Sequence, residues 1–129
     1  MSSANKKYIL LIEDDVLLSR ALQIKAQKEG VTIKPLLDGK EALEFIKDNA
    51  EPKPSLVLLD LMLPHVSGFE ILETLRKTRD WEKIPVIVLS NLGQAMDIEK
   101  IKAMKVDAYL VKTDVKLEEL IKRISGYLK

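Results

Sequence analysis

Chemistry-bearing residues follow four apolar runs of this sequence. Glu13-Asp14-Asp15 follows the run 8–12, Asp60 follows 56–59, Ser90-Asn91 follows 84–89, and Lys112 follows 108–111. If these ends converge, Glu13, Asp14 and Asp60 crowd negative charge, and at an effective dielectric of about 20 each pair at about 4 Å costs about 4 kcal/mol. A hard divalent cation relieves that repulsion best. Mg²⁺ suits the set because it takes a few carboxylate oxygens plus waters and leaves positions for a phosphoryl oxygen. Lys112 adds positive charge beside Asp60, and Ser90 offers one short neutral donor. Together these are the parts for phosphoryl transfer to an aspartate: a nucleophile, a charge-neutralising metal and donors aimed at the equatorial oxygens. No general base is needed, since the attacking carboxylate is already ionised at neutral pH.

Bringing those ends to one rim is a task for the elements between them. None of the four runs alternates polar with apolar, so each reads as a strand buried on both faces. A fifth run, 31–36, contains Thr32, Lys34 and Pro35, which an edge strand tolerates better than a central one. Helical spacing joins Leu18, Ala21 and Leu22; Ala42, Leu43 and Ile46; Phe69, Leu72 and Leu75; and Leu117, Leu120, Ile121, Ile124 and Leu128. The weakest helix spans 95–104, where only Ile98 and Ile101 fit an apolar stripe. Asp15 reads as a helix N-cap; Asp38 with Glu41 and Ser67 with Glu70 have capping-box spacing; Gly30 fits a left-handed cap. Gly39 and Gly68 read as turn residues, and Trp81 as packing at the far end of the sheet. Strand then helix, five times over, predicts a parallel sheet with right-handed crossovers and helices on both sides, a three-layer α/β sandwich. Ligands of such sheets lie beyond the carboxyl ends of the strands, where Glu13, Asp14, Asp60, Ser90 and Lys112 fall.

Composition narrows the function classes. The 129 residues, 47% hydrophobic and 32% charged, suit one globular domain and exclude a disordered chain. Lys plus Arg number 21 against 20 Asp plus Glu, so a net charge of +1 offers no field for direct binding of nucleic acid. The absence of cysteine excludes disulfides, thiolate metal sites and a thiol nucleophile, and the single histidine, His65, excludes a multi-His metal site. No signal-peptide core or membrane span is present in the sequence, so a cytoplasmic protein without membrane attachment is expected. No Gly-x-Gly-x-x-Gly or Walker pattern supports a nucleotide sandwich.

The motifs Ile9-Leu-Leu-Ile-Glu-Asp-Asp15, Leu56-Val-Leu-Leu-Asp-Leu-Met-Leu-Pro64 with Gly68, Pro85-Val-Ile-Val-Leu-Ser90 and Ala108-Tyr-Leu-Val-Lys112 resemble the receiver domain of two-component response regulators. The match runs in order over essentially the whole chain. The resemblance implies a flavodoxin-like (CheY-like) fold, with strand order 2-1-3-4-5 and five helices. It implies Asp60 as phosphoacceptor, Glu13, Asp14, Asp60 and the Met62 backbone carbonyl as the Mg²⁺ site, and Lys112 as the partner of the phosphoryl oxygens. Ser90 is then the switch hydroxyl and Tyr109 the aromatic that follows it. The implied phosphodonor is a histidine kinase or histidine phosphotransfer protein. The implied output is a protein-binding surface of the fourth helix, fifth strand and fifth helix, which also permits a homodimer. Such a domain is a signalling switch that catalyses only its own phosphorylation and dephosphorylation.

Two positions, Thr113 and Asn91, depart from the family pattern, and two more, Met62 and Leu92, are positions that the resemblance implies set how fast the phosphoaspartate hydrolyses. Thr113 replaces the proline that commonly follows the lysine in a cis peptide, so a trans bond is expected here, given about 3–4 kcal/mol for a non-proline cis bond. Asn91 stands where a small residue is common. Met62 and Leu92, two beyond the acceptor and the hydroxyl, are apolar and orient no attacking water, which predicts a long-lived phosphoaspartate. The alternative reading is a pseudo-receiver, a phosphorylation-independent interaction module. A haloacid-dehalogenase-type phosphatase ranks last, because Met62 occupies the position of its second aspartate. The expected organisation is one receiver domain over 1–129, with an ordered core of about 7–128 and no output domain in this chain.

Overall fold

The computed structural model describes residues 7–49, 51–91 and 98–129. Strands β1 (Ile9–Ile12), β2 (Ile33–Leu36), β3 (Leu56–Asp60), β4 (Val86–Ser90) and β5 (Ala108–Val111) form one sheet in the order β2-β1-β3-β4-β5. Every neighbouring pair is parallel. Helices α1 (Val16–Lys28), α2 (Gly39–Asp48), α3 (Gly68–Lys77), α4 (Ile98–Ala103) and α5 (Leu117–Ser125) alternate with them. Ile12 registers with both Leu36 and Leu59, and Asp60 with Leu89, so the strand ends line one rim.

Alternation along each strand divides the core in two. Leu10, Ile12, Val57, Leu59, Val86 and Val88 pack with Ala42, Ile46, Ile71, Leu72, Leu75 and Ile101, against α2, α3 and α4. Ile9, Leu11, Leu56, Leu58, Ile87 and Leu89 pack with Leu22, Ala26, Leu120, Ile121 and Ile124, against α1 and α5. Burial on both faces is the reason these strands carry no polar alternation. β2 and β4 start later than the apolar runs suggest, at Ile33 and Val86. Pro85 lacks an N–H and contributes its carbonyl instead, accepting from Val57 N at 3.0 Å.

The helix starts follow the expected chemistry. Asp15 accepts from Leu17 N and Leu18 N, Asp38 from Glu41 N and Ser67 from Glu70 N. Gly30 takes φ +72°, the left-handed conformation expected after α1. Of the 95–104 helix, the described part is Ile98–Ala103; residues 95–97 lie outside the described residues. Trp81 is buried, and its Nε1–H donates to Asn49 Oδ1 at 3.0 Å.

Gly39 and Gly68 correct the sequence reading: each opens a helix rather than a turn. A Cβ on Gly68 would lie 2.4 Å from Leu61 Cα and 2.7 Å from the Asp60 carbonyl oxygen. One on Gly39 would lie 2.7 Å from Val66 Cβ. Both glycines exist for close approach, seating the loop that follows Asp60 against α2 and α3. The Gly68 N–H fastens that loop to the Leu61 carbonyl at 2.9 Å.

Candidate functional site

Asp60 is the last residue of β3 and only 2% exposed. Its Oδ1 accepts the Met62 backbone N–H at 3.0 Å, and its Oδ2 accepts from Lys112 Nζ at 3.1 Å. Glu13, just past β1, is completely buried; its Oε2 accepts from Asp15 N at 3.1 Å. Glu13 Oε1 lies 2.6 Å from Lys112 Nζ, an ion-pair contact that is not aligned as a hydrogen bond, so this buried oxygen has no hydrogen-bond partner. Lys112 reaches inward from the first residue of a 3₁₀ turn, Lys112–Asp114, directly after β5. Asp14 is exposed, yet Glu13, Asp14 and Asp60 each offer a carboxylate oxygen within 4.8 Å of the others.

The electrostatics of the cluster are unbalanced, with three carboxylates facing one ammonium. Burial pushes the Glu13 carboxyl up to about 7; the Lys112 ammonium beside it opposes this, and the Asp60 charge adds to it. Burial alone would lower Lys112, but Glu13 and Asp60 outweigh it and hold the ammonium above the ordinary lysine value. Surplus negative charge and hard oxygen donors, one of them the buried Glu13 Oε1 that accepts no hydrogen bond, fit a divalent cation of the Mg²⁺ or Ca²⁺ kind.

Ser90 ends β4 and is completely buried. Because Asp60 registers with Leu89, Ser90 stands one residue nearer the rim on the adjacent strand. Its hydroxyl donates to the Tyr109 hydroxyl at 2.7 Å. The expected residues thus gather in two groups: Glu13, Asp14, Asp60 and Lys112 around the carboxylates, and Ser90 with Tyr109 beside them. Met62 contributes its N–H to Asp60, and its side chain is 54% exposed. The Lys112–Thr113 peptide is trans as expected, the one cis bond among the described residues being Glu51–Pro52. Asn91 is exposed, as is His65, whose φ is +68°. Leu92 lies outside the described residues. Sequence reasoning assigned Lys112 to Asp60 and missed its shorter contact with Glu13, for which chain order holds no signal.

The model of the response regulator receiver domain family matches residues 9–125. The chain belongs to this family. Receiver domains are signalling switches rather than turnover enzymes, and they work with histidine kinases and downstream effectors. This receiver is 34% identical over 126 residues to the response regulator Rcp1 of Synechocystis, covering 93% of this chain and 85% of that protein. It is 32% identical to the phosphate regulon transcriptional regulatory protein PhoB of Rhizobium meliloti, covering 94% of this chain but 52% of that one. The chain therefore spans about half the length of that relative, and likewise 52% of the transcriptional regulatory protein YkoG of Bacillus subtilis. Among solved structures, the Mn²⁺-bound form of Rcp1 superposes with a TM-score of 0.77 at 33% identity, over 93% of this chain and 90% of that one. A CheY-like receiver from Methanospirillum hungatei shares the fold, with a TM-score of 0.81 at 24% identity over 96% of this receiver and 94% of that chain. No helix among the receiver's described residues is long and apolar enough to cross a membrane.

Proposed function

We propose that this receiver takes a phosphoryl group onto Asp60 from a phosphohistidine of a histidine kinase or histidine phosphotransfer protein, and so switches a partner-binding surface. The observation that carries this reading is the contact of Lys112 with both Glu13 and Asp60 at the end of β3. An Asp60 carboxylate oxygen attacks phosphorus, the phosphorus–nitrogen bond breaks, and the imidazole leaves with its electron pair. Lys112, kept protonated by its two acidic neighbours, holds charge against the phosphoryl oxygens. Glu13, Asp14, Asp60 and the Met62 carbonyl would hold Mg²⁺. Bound there, the ion supplies Lewis-acid stabilisation of the phosphoryl charge.

Ser90 is the hydroxyl that turns from Tyr109 to the phosphoryl group, and Tyr109, on β5, carries the change to the α4, β5 and α5 face. Two copies of this receiver could associate through the same face. The donor has a surface to meet at the rim. Val16, Leu17, Leu37 and Met62 are exposed apolar side chains just past the ends of β1, β2 and β3, and Ile24 continues them along α1. The pseudo-receiver reading rested on Thr113 and Asn91. With a trans peptide at Thr113, Lys112 still reaches Asp60 at 3.1 Å, which favours the phosphoacceptor.

Intact mass after incubation with acetyl phosphate, with and without Mg²⁺, tests the reading. One added phosphoryl group that requires Mg²⁺ supports it; an unchanged mass in folded protein at saturating Mg²⁺ refutes it.

A further inference from the structure

We propose that Met62 is an oxidant-sensitive modification site that shortens the lifetime of a phosphoryl group on Asp60; this rests on the reading of Asp60 as phosphoacceptor. The Met62 backbone N–H bonds Asp60 Oδ1 at 3.0 Å, so its Cα is fixed beside the acceptor, while its side chain is 54% exposed at the rim. Asp60 is 2% exposed and is held by the Met62 N–H, so we infer that water attacking a phosphoryl group there enters past Met62. The thioether of Met62 is a weak acceptor and does little to hold that water.

The chain has no cysteine, so no thiol of its own competes for a peroxide. Met104, the other methionine among the described residues, is half-buried against the core. Hydrogen peroxide attacked by the Met62 sulfur transfers one oxygen, forming the S–O bond as the O–O bond breaks. The second oxygen leaves as water after proton transfer; sulfur is oxidised by two electrons and the peroxide reduced. The product is a polar sulfoxide, restorable by a methionine sulfoxide reductase. Its oxygen, a strong acceptor, orients water toward phosphorus. Water then forms a new P–O bond, the Asp60 Oδ–P bond breaks, and the carboxylate and inorganic phosphate are released.

The experiment phosphorylates the protein with acetyl phosphate and Mg²⁺, removes the donor, and follows the loss of phosphoryl mass with and without prior hydrogen peroxide. Peptide masses locate the added oxygen. The expected result is oxidation at Met62 and a half-life shortened several-fold. Met62→Leu should make the half-life indifferent to peroxide, and Met62→Gln should shorten it without peroxide. The inference is overturned by a Met62 that stays unoxidised while Met104 reacts, by an oxidised Met62 with unchanged half-life, or by a Met62→Leu protein as peroxide-sensitive as the parent. A protein that takes no phosphoryl group before oxidation overturns both this inference and the assignment of Asp60, and the first step of the experiment reveals it.

Discussion

Lys112 stands closer to Glu13 than to Asp60: its Nζ is 2.6 Å from Glu13 Oε1 and 3.1 Å from Asp60 Oδ2. Glu13 is completely buried and Asp60 nearly so. The ammonium is therefore the cation that makes two adjacent buried carboxylates tolerable. Lys112→Met leaves them uncompensated and should cost about 3 kcal/mol at pH 8, on the scale of a broken buried ion pair. At pH 6 the cost should be smaller, because Glu13 can take a proton. Urea unfolding at the two pH values measures both.

Cation binding should depend on pH through Glu13, whose carboxyl lies at about 7 when no metal is bound. The folded state binds that proton more tightly than the unfolded chain does. The favourable contribution is thus full below the ordinary value of 4.5 and is lost as pH rises through about 7. Metal-free protein should unfold more readily at pH 8 than at pH 6. Divalent cations need the ionised form, so their affinity should fall about tenfold from pH 8 to pH 6. Calorimetric titration with Mg²⁺ at the two pH values checks the sign.

Close approach at Gly68 makes a second kind of prediction. Gly68→Ala forces a Cβ to 2.4 Å from Leu61 Cα, and backbone on both sides must shift. A loss of about 3 kcal/mol and weaker phosphorylation should follow, because the same loop presents Met62 to Asp60. Gly126→Ala meets nothing within 4 Å at φ −60°, and should instead stabilise by about 0.5 kcal/mol. Thermal unfolding of the two variants separates packing from backbone freedom.

Arg76 fastens three segments at the other end of the sheet. Its guanidinium donates to the carbonyls of Met104, Glu82, Ile84 and Lys105 at 2.9 to 3.2 Å. Arg76→Met should cost about 2–3 kcal/mol, and Arg76→Lys should recover less than half, since an ammonium cannot span the fork. Denaturant midpoints decide the matter.

What was legible in the sequence had local or periodic causes. Continuous apolar runs mark strands buried on both faces, and Asp15, Asp38 and Ser67 cap helices through contacts two or three residues away. Glu13, Asp60, Ser90 and Lys112 stand out because they interrupt those runs at one end of a parallel sheet. The remainder depends on neighbours distant in the chain. Gly39 reads as a turn until Val66 lies against it, the four carbonyls that converge on Arg76 leave no mark in its local sequence, and the Lys112–Glu13 contact spans strands from opposite ends of the sequence.

The most direct test of the central claim locates the phosphoryl group chemically. Protein treated with acetyl phosphate and Mg²⁺ is reduced with borohydride, which converts an aspartyl phosphate to homoserine, and the peptides are weighed. The account predicts homoserine at position 60, its absence without Mg²⁺, and its absence in Asp60→Asn. Homoserine at another aspartate, or none in folded and Mg²⁺-saturated protein, would contradict it.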